Sequence, residues 1–364
     1  MAVQDGVPAP VPRIPRIHRA LVATGPGALA LKPVPVPAIE PDEVLIRVGA
    51  VALNPSDHKL LDQSTTVGAV SGADLAGTVV RLGDRVTKLK IGDRVIGFTF
   101  GANPGNPGNG AFSQYVASLA GICVPIPDAM DFVTAASLPM GIFTVGFVFR
   151  SLGLEFSLDG EGRAKGRGEY VLVQGGATAT GTVALQMLKM AGYTPIATCS
   201  PASFDLARDR GAVAVFDYNS ATVRDDIRDF TRGTLALALD CISTPDTMAL
   251  CYGAIGDAGG RYAALEQYPR NLTIRRRDVQ HDWILGWTIL GKEVMLAGAY
   301  HRDATPEDRT YGEAWADKMV GLLASGKLRT HPLKVCKGGL AAIPSGLDTM
   351  RKGQVKGKKL VYWV

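Results

Sequence analysis

The stretch Tyr170-Val171-Leu172-Val173-Gln174 runs directly into Gly175-Gly176-Ala177-Thr178-Ala179-Thr180-Gly181, and an apolar helical pattern follows over 182–191. A buried strand, a glycine turn and a helix in that order leave backbone N–H groups and the positive end of a helix dipole pointing at one place. Such a place favours the pyrophosphate of a dinucleotide. Because the loop departs from the pattern G-x-G-x-x-G, a tight turn without a ligand is the alternative interpretation.

The segments on either side of this unit differ in pattern. Downstream, apolar strands alternate with helical stretches, which is typical of a doubly wound parallel sheet covered by helices. Upstream of about residue 125, short β segments separated by turn signals such as Pro35-Val36-Pro37 and Asn54-Pro55-Ser56-Asp57 indicate an irregular β-barrel. The strands predicted for the two parts are 18–24, 43–53, 77–82, 94–98 and 112–116, then 170–174, 194–199, 213–216, 235–242 and 262–265.

The segment after residue 300 ends in a short β tail. It predicts a helix over 306–324, a strand over 333–336, a helix over 340–352 and a strand over 359–364. A β tail after a long α/β block is expected to rejoin the earlier barrel. We therefore predict a discontinuous domain of residues 1–140 and 302–364, and a nucleotide-binding domain of residues 141–301. The charged, glycine-containing stretch 160–168 is predicted to be a solvated loop.

Composition limits the possible functions. The 364 residues suffice for about two domains, and 46% hydrophobic residues are too many for a disordered chain. A net charge of 39 − 34 = +5 is too small to indicate a nucleic-acid binder. The amino-terminal segment lacks the apolar core of a signal peptide, so a cytoplasmic location is expected. The uncharged run 132–149 contains Pro139 and two glycines and is predicted to be buried helix, without a membrane partner.

Cysteines and histidines give no metal-site pattern. An odd number of widely spaced cysteines predicts buried free thiols in a reducing compartment and no metal site. They are Cys123, Cys199, Cys241, Cys251 and Cys336.

The residue at the end of the second parallel strand indicates the type of dinucleotide. NAD-binding units usually carry Asp or Glu about twenty residues after the glycine turn, where it holds the ribose 2′-OH. Here Ser200 stands at that point, followed by Pro201-Ala202-Ser203. No carboxylate repels a 2′-phosphate, which the hydroxyl groups, Arg208 and Tyr218 can bind. We therefore predict NADPH as the cofactor, with Arg208 as a mere surface residue of its helix as the alternative.

Further motifs resemble the medium-chain dehydrogenase/reductase superfamily over nearly the whole chain. Its zinc-dependent alcohol dehydrogenases have a Cys near the first of these motifs and a His-Glu pair in the second. Both are absent, so the resemblance implies a zinc-free reductase. The motifs are Asn54-Pro55-Ser56-Asp57, Gly72-Ala73-Asp74-Leu75-Ala76-Gly77, Gly92-Asp93-Arg94-Val95, Gly110-Ala111-Phe112-Ser113-Gln114-Tyr115 and Ala136-Ser137-Leu138-Pro139.

Within that superfamily the sequence most resembles the trans-acting enoyl reductases of fungal polyketide synthases. The resemblance lies in 54–59, in the loop 175–180 with its two Ala-Thr pairs, and in 197–201, 215–218, 239–242 and 282–283. It implies an α/β protein with a GroES-like irregular β-barrel catalytic domain and a Rossmann-type nucleotide-binding domain.

The same resemblance implies the site residues. NADPH would contact Ser56, Asp57, His58, Lys59, Ala177, Thr178, Ala179, Thr180, Ser200, Pro201, Ala202, Ser203, Tyr218, Leu265, Glu266, Lys356 and Gly357. The substrate channel would be lined by Thr144, Val145, Gly146, Phe147, Val148, Phe149, Arg150, Ser151, Trp287, Thr288, Ile289, Leu290 and Gly291. Glu266 stands where an uncharged polar residue is expected, and Trp287 is bulky for a channel wall.

The implied reaction is hydride transfer from NADPH to the β carbon of an α,β-unsaturated thioester, followed by protonation of the α carbon. Lys59 and the Thr144 hydroxyl are candidates for stabilising the charge that develops on the thioester oxygen. Holding the nicotinamide ribose is the alternative role for Lys59. No His or carboxylate identifies itself as the proton donor, and water is a candidate.

The run Arg275-Arg276-Arg277 has two interpretations. It is a solvated face, or it attracts the phosphopantetheine arm or the acidic acyl-carrier domain of a polyketide synthase or polyketide synthase/peptide synthetase hybrid. Two other functions stay open: a zinc-free NADPH-dependent quinone or enone oxidoreductase acting on diffusible substrates, and a non-reductive fold relic serving as a scaffold or cyclase.

Overall fold

The computed structural model describes residues 13–157, 168–268 and 270–364, which form a hairpin and two larger sheets. The first part is an antiparallel barrel-like sheet in which β3 pairs with both β4 and β6. Its elements are β1 (Ile17–Gly25), β2 (Ala28–Pro35), β3 (Glu43–Ala52), α1 (Pro55–Gln63), β4 (Asp74–Leu82), β5 (Arg94–Phe98), β6 (Tyr115–Leu119), β7 (Val124–Pro125), α2 (Phe132–Ala136) and α3 (Pro139–Leu152).

The second part is a six-stranded, wholly parallel sheet in the order β10-β9-β8-β11-β12-β13. The strand order reverses between β8 and β11, and ligands of such sheets bind at the carboxyl ends of the strands beside that reversal. Its elements are β8 (Tyr170–Gln174), α4 (Ala179–Met190), β9 (Thr194–Cys199), α5 (Phe204–Asp209), β10 (Ala214–Asp217), α6 (Val223–Phe230), β11 (Leu237–Asp240), α7 (Pro245–Ala254), β12 (Gly260–Ala264) and β13 (Val279–Trp283).

The following segment returns to the first sheet. It consists of α8 (Pro306–Ala324), β14 (Leu333–Cys336), α9 (Gly339–Arg351) and β15 (Lys359–Trp363). Strand β15 lies between β14, to which it is parallel, and β3, to which it is antiparallel. The first sheet is therefore built from both sides of the nucleotide-binding segment, while the domain boundaries at 140/141 and 301/302 stay a prediction.

Helix α3 joins the two parts because nearly its whole surface is apolar and buried. It packs against α4 and α8. Gly146 lets α8 approach closely, since an added Cβ there would lie 2.7 Å from Nε1 of Trp315. That indole nitrogen donates to the carbonyl of Ile142 at 2.9 Å, which satisfies the buried N–H.

Three sequence expectations are corrected or limited by the structure. The turn predicted at Asn54-Pro55-Ser56-Asp57 is the start of α1, because proline fits the first helical position, where its missing N–H has no partner to lose. The strand predicted over 112–116 begins later, as β6 (Tyr115–Leu119), since the chain bends before Tyr115 and Ser113 Oγ donates to the Gly110 carbonyl at 2.8 Å. Most of the predicted loop 160–168 lies outside the described residues.

Two further findings concern membrane-spanning helices and the cysteines. Among the residues with assigned structure, no helix combines the length and apolar character needed to cross a bilayer. The five cysteines are free thiols, as predicted, although Cys241 and Cys336 are only half-buried.

Candidate active site

A cavity of about 570 Å³ opens at the carboxyl end of the parallel sheet, against the barrel. Helix α1 forms one side, the loop after β8 forms another, and the segments after β11, β12 and β13 complete it. Residues of this cavity that carry the argument below are Asn54, Ser56, Lys59, Phe98, Met140, Thr144, Ala177, Thr180, Glu266, Trp283, Trp287, Tyr300, His331 and Lys359.

The glycine loop has the backbone form that a pyrophosphate site needs. Gly175 has a φ of 77°, which favours glycine. A Cβ on Gly181 would lie 2.4 Å from the Gly175 carbonyl oxygen, so α4 can begin close to the loop only because Gly181 has no side chain. Thr178 caps α4 by accepting the Gly181 N–H at 3.0 Å. Residues 177–180 line the cavity, and the first N–H groups of α4 lie at that edge.

The cavity residues fit a nicotinamide dinucleotide. Besides the loop, the Ser56 hydroxyl is buried and has no hydrogen-bond partner among the described residues, and Ser56 lines the same cavity. A buried polar atom left unpaired costs about 1–3 kcal/mol, so a polar ligand at this position would relieve a real cost. His58, Leu265 and Gly357 also line the cavity, whereas Lys356 is exposed and outside it.

The predicted adenosine-end residues lie on neighbouring strand ends. Cys199 and Asp217 are paired across β9 and β10, so Ser200 and Tyr218, one residue further on, emerge at the same edge of the sheet. Ser200 is half-buried, Tyr218 is 45% exposed, and Pro201–Ser203 form the short 3₁₀ turn that follows. Hydroxyl groups and an open surface at this edge are compatible with a 2′-phosphate.

Arg208 engages its own helix. Its guanidinium lies 5.4 Å from the centre of the Phe204 ring and 3.5 Å from an oxygen of the exposed Asp205. Both contacts are at the surface, where such pairs are weak. They leave the two sequence interpretations of Arg208 open.

Lys59, Glu266 and Tyr300 form a hydrogen-bonded group inside the cavity. Lys59 Nζ donates to Glu266 Oε2 at 2.6 Å, and the Tyr300 hydroxyl donates to Glu266 Oε1. Burial alone would raise the pKa of Glu266, but the hydrogen bonds from Lys59 and Tyr300 hold that pKa below its ordinary value. Glu266 is therefore ionised at neutral pH and fixes the ammonium group of Lys59. Sequence analysis placed Lys59 and Glu266 here but missed both their pairing and Tyr300.

A second polar group lies beneath helix α1. Lys359 Nζ donates to Asp74 Oδ2 at 2.8 Å and to Asn54 Oδ1 at 2.9 Å, and both charged side chains are almost fully buried. Asn54 Nδ2 and the Met140 N–H also donate to Asp74, at 2.9 and 2.7 Å. These bonds tie the start of α1 and the start of α3 to β4 and β15.

Asp57 belongs to this buried group and not to the cavity lining. Its Oδ2 accepts the Asn54 N–H at 2.7 Å, which closes the capping box of α1. Burial, with the neighbouring Asp74 carboxylate, raises the pKa of Asp57 to about 8 against the lowering effect of that hydrogen bond and of Lys359. The carboxyl group of Asp57 thus faces the protein interior and does not line the cavity in which a cofactor contact was implied for it.

The predicted channel residues separate into lining and core. Of 144–151 only Thr144 lines the cavity, together with Met140 one turn earlier, because residues four apart share a helix face. Residues 145–149 are buried in the core. Arg150 is exposed, and its guanidinium lies over Phe147 and pairs with Asp308. Of 287–291, Trp287 lines the cavity and Thr288 and Ile289 are buried. The other residues of this segment that line the cavity are 283–286, which precede Trp287, and not 288–291, which follow it.

His331 was not selected from the sequence. It lines the cavity, lies 3.2 Å from the Thr182 hydroxyl, and burial lowers its pKa to about 4. At neutral pH it is an uncharged imidazole. Its only sequence signal was a histidine between two short elements, which does not distinguish it from the other four.

Comparisons with known proteins agree with this architecture. Residues 40–128 match the alcohol dehydrogenase GroES-like domain, and residues 179–265 match the domain described as zinc-binding dehydrogenase. The trans-enoyl reductase caaB of Aspergillus niger is 47% identical, over 98% of this chain and 100% of its own length. The trans-enoyl reductase opdC of Penicillium oxalicum is 42% identical, over 96% and 97%. The chain belongs to the trans-enoyl reductase family.

Solved structures show the same fold for this trans-enoyl reductase family member. The CurK enoyl reductase superposes with a TM-score of 0.73 at 18% identity, covering 95% of this chain and 99% of its own. The quinone oxidoreductase of Coxiella burnetii gives 0.68 at 21% identity, covering 96% and 99%. The predicted pairing of a GroES-like barrel with a Rossmann-type domain is confirmed, and a nicotinamide dinucleotide is the cofactor that this dehydrogenase family implies.

Metal binding is not apparent at the site of this enoyl reductase. In residues 13–157, 168–268 and 270–364, no cluster of three or more His, Cys, Asp or Glu side chains could hold a metal ion. Asn54 and Asp74, from the two motifs in which zinc-dependent relatives have ligands, are instead engaged by Lys359.

Proposed function

We propose that the protein is a trans-acting enoyl reductase that uses NADPH to reduce the double bond of an α,β-unsaturated acyl thioester held on the acyl-carrier domain of a separate polyketide synthase or polyketide synthase/peptide synthetase hybrid. The observation that carries the proposal is that the glycine loop, Lys59 and Thr144 line the same cavity. Full-length identity of 42–47% to proteins named trans-enoyl reductases supports the reaction class.

When bound, the dinucleotide supplies a hydride to the β carbon. The electron pair of the double bond then moves to the thioester oxygen, and a proton reaches the α carbon. The protein's task is to hold the acyl group in line and to stabilise the oxygen that becomes negative. Lys59 Nζ, fixed by Glu266, and Thr144, on the cavity face of α3, are the groups we assign to that oxygen.

The proton for the α carbon comes from solvent and not from His331 or Glu266. His331 is neutral and already close to Thr182, and Glu266 is ionised by its two donors. Neither has a proton to give at neutral pH. Water reaching the cavity beside the partly exposed Lys59 is the donor consistent with this arrangement.

A preference for NADPH over NADH is expected from the adenosine end. A charge-assisted hydrogen bond to the 2′-phosphate contributes about 1.5–3 kcal/mol, or roughly tenfold to a hundredfold in affinity. Replacing Ser200 by Asp should lower NADPH affinity by that factor and leave NADH affinity nearly unchanged, because a carboxylate repels the phosphate and accepts from the ribose hydroxyl. Calorimetry with both dinucleotides measures this. Gln280→Asp, on the exposed strand β13 at the opposite edge of the sheet, is the control and should leave both affinities unchanged. Equal binding of NADH and NADPH by the unaltered protein would contradict the assignment.

Docking of the carrier is proposed at the exposed arginines Arg275 and Arg277. Arg276 is excluded from this role because it pairs with Asp278 and donates to the carbonyls of Tyr252 and Gly256, which holds the end of α7. Replacing Arg275 and Arg277 together by Ala should lower kcat/KM for a carrier-bound thioester and spare a short soluble thioester. The difference should shrink with added salt. Equal loss with both substrates would contradict carrier docking here.

The proposed function itself is tested by NADPH oxidation. An enoyl thioester on its carrier is compared with the same acyl group on a soluble pantetheine and with a free enone and a quinone. Faster reduction of the tethered thioester is expected. Equal or faster reduction of the free enone or quinone would favour an oxidoreductase of diffusible substrates, and failure to bind NADPH would favour a non-reductive protein.

A further inference from the structure

Trp287 stands between two cavities. A second cavity of about 1020 Å³ lies between the loops of the barrel and the segment around Val294. Among the described residues, Phe98 and Trp287 line both this cavity and the one that holds Lys59 and Thr144. These two side chains therefore separate the reacting cavity from the second one.

The separating wall is aromatic and closely packed. Phe100 stacks on Trp287 with ring centres 4.5 Å apart and planes 15° from parallel. Phe98 is braced from behind by Phe143, with ring centres 6.0 Å apart. We call Phe98, Phe100 and Trp287 the aromatic wall. All three are buried.

The backbone of Trp287 is fixed, but its indole is not held by a polar contact. Trp287 lies in the 3₁₀ helix Gly286–Leu290, and Ile289 of that helix packs so tightly on α8 that a Cβ on Gly312 would lie 2.2 Å from it. The indole Nε1 is buried without a hydrogen-bond partner in the described structure. Stacking and side-chain volume alone thus position the ring, and its removal strands no hydrogen-bond acceptor.

We propose that Trp287 ends the acyl site and sets the longest acyl chain that the enzyme accepts. The inference rests on the proposed function and adds its chain-length limit. An acyl chain that extends from the double bond toward Trp287 meets the stacked rings. Beyond them the second cavity offers apolar surface from Leu119, Leu290, Val294 and Met295. A smaller side chain at 287 would join the two cavities and give a longer chain somewhere to lie.

The test uses the full-length protein and saturated acyl-pantetheine thioesters of about four to about twelve acyl carbons as binding probes. Each buried methylene is worth about fourfold in affinity. For the unaltered protein, affinity should rise by about that factor per methylene up to a limiting length and then fall. For Trp287→Ala the rise should continue for several methylenes past that limit. The kcat/KM values for the matching enoyl thioesters should follow the same two profiles.

Two variants control the interpretation. Trp287→Phe keeps an aromatic ring on Phe100 and should shift the limit less than Trp287→Ala. Met295→Ala changes a residue that lines the second cavity and not the first, and should leave the limit where it is. Melting temperatures of all variants verify that they are folded.

The outcomes separate this inference from the function on which it rests. If the unaltered protein reduces short enoyl thioesters but Trp287→Ala has the same length limit, the wall does not set chain length. If the unaltered protein binds long and short chains with steadily rising affinity, the indole moves aside and the inference is wrong. If no enoyl thioester of any length is reduced, the proposed function itself fails.

Discussion

Replacing Lys59 by Met should lower kcat for the enoyl thioester by roughly 10²–10³, which is the usual cost of losing one donor to a developing oxyanion. The effect is expected because Lys59 Nζ is held at 2.6 Å by Glu266, so the charge is already in position when the thioester oxygen becomes negative. Steady-state kinetics with a short soluble thioester measure it. Calorimetry with NADPH should show little change in affinity, since the loss concerns the transition state.

Two comparisons assign the role of Lys59. Lys59→Arg keeps the charge and should restore part of kcat. Glu266→Gln keeps the side-chain shape but loosens the anchor, so it should lose less than Lys59→Met. If Lys59→Met weakens NADPH binding and spares kcat, the lysine holds the nicotinamide ribose, and the oxygen is stabilised by another group.

The largest expected effect on stability is at Lys359. Its ammonium is buried against Asp74 and Asn54, and removing one partner of a buried pair leaves the other charge uncompensated, at a cost of about 3–5 kcal/mol. Lys359→Met should therefore lower the free energy of unfolding by that amount. Urea unfolding followed by circular dichroism measures the change.

Matched variants show whether charge is the cause. In the double variant Lys359→Met/Asp74→Asn, the stranded carboxylate is neutral, so most of the lost stability should return. The neighbouring exposed Lys358, replaced by Met, should change stability by under about 0.5 kcal/mol. A double variant as unstable as Lys359→Met alone would show that the lysine stabilises by packing, not by pairing.

The parallel sheet was predictable because each strand is an apolar run within a local strand–helix repeat. Strands 170–174 and 194–199 were placed with their observed bounds, and the tail elements within one residue. Edge strand β13 was not predicted, since its exposed Gln280, His281 and Asp282 carry no apolar signal. Helix α1 was missed because Asn-Pro-Ser-Asp favours a turn and a helix start equally.

The site was predictable only one residue at a time. The family resemblance implied Lys59, Glu266 and Trp287 individually, but Lys59 and Glu266 are 207 positions apart, and Lys359 and Asp74 are 285 apart. No period or spacing in the sequence links such partners; the fold alone brings them together. Helix geometry could have narrowed 144–151 to Thr144 and the residues three, four and seven positions later, because on a buried helix only every third or fourth residue faces a given cavity.

Because β15 is the last strand in the chain, the two sheets can be completed at different times during synthesis. All six strands of the parallel sheet have been synthesised once residue 283 is added. The nucleotide-binding sheet can therefore fold while the later residues are still being made. The barrel must wait for residues 359–363 to fill the gap between β3 and β14. Until then the Asp74 carboxylate lacks the ammonium group of Lys359. The edge of β3 that pairs with β15 is also free to pair with another strand. Until residue 363 has been made, the nascent barrel therefore carries an unpaired strand edge that can pair with other chains.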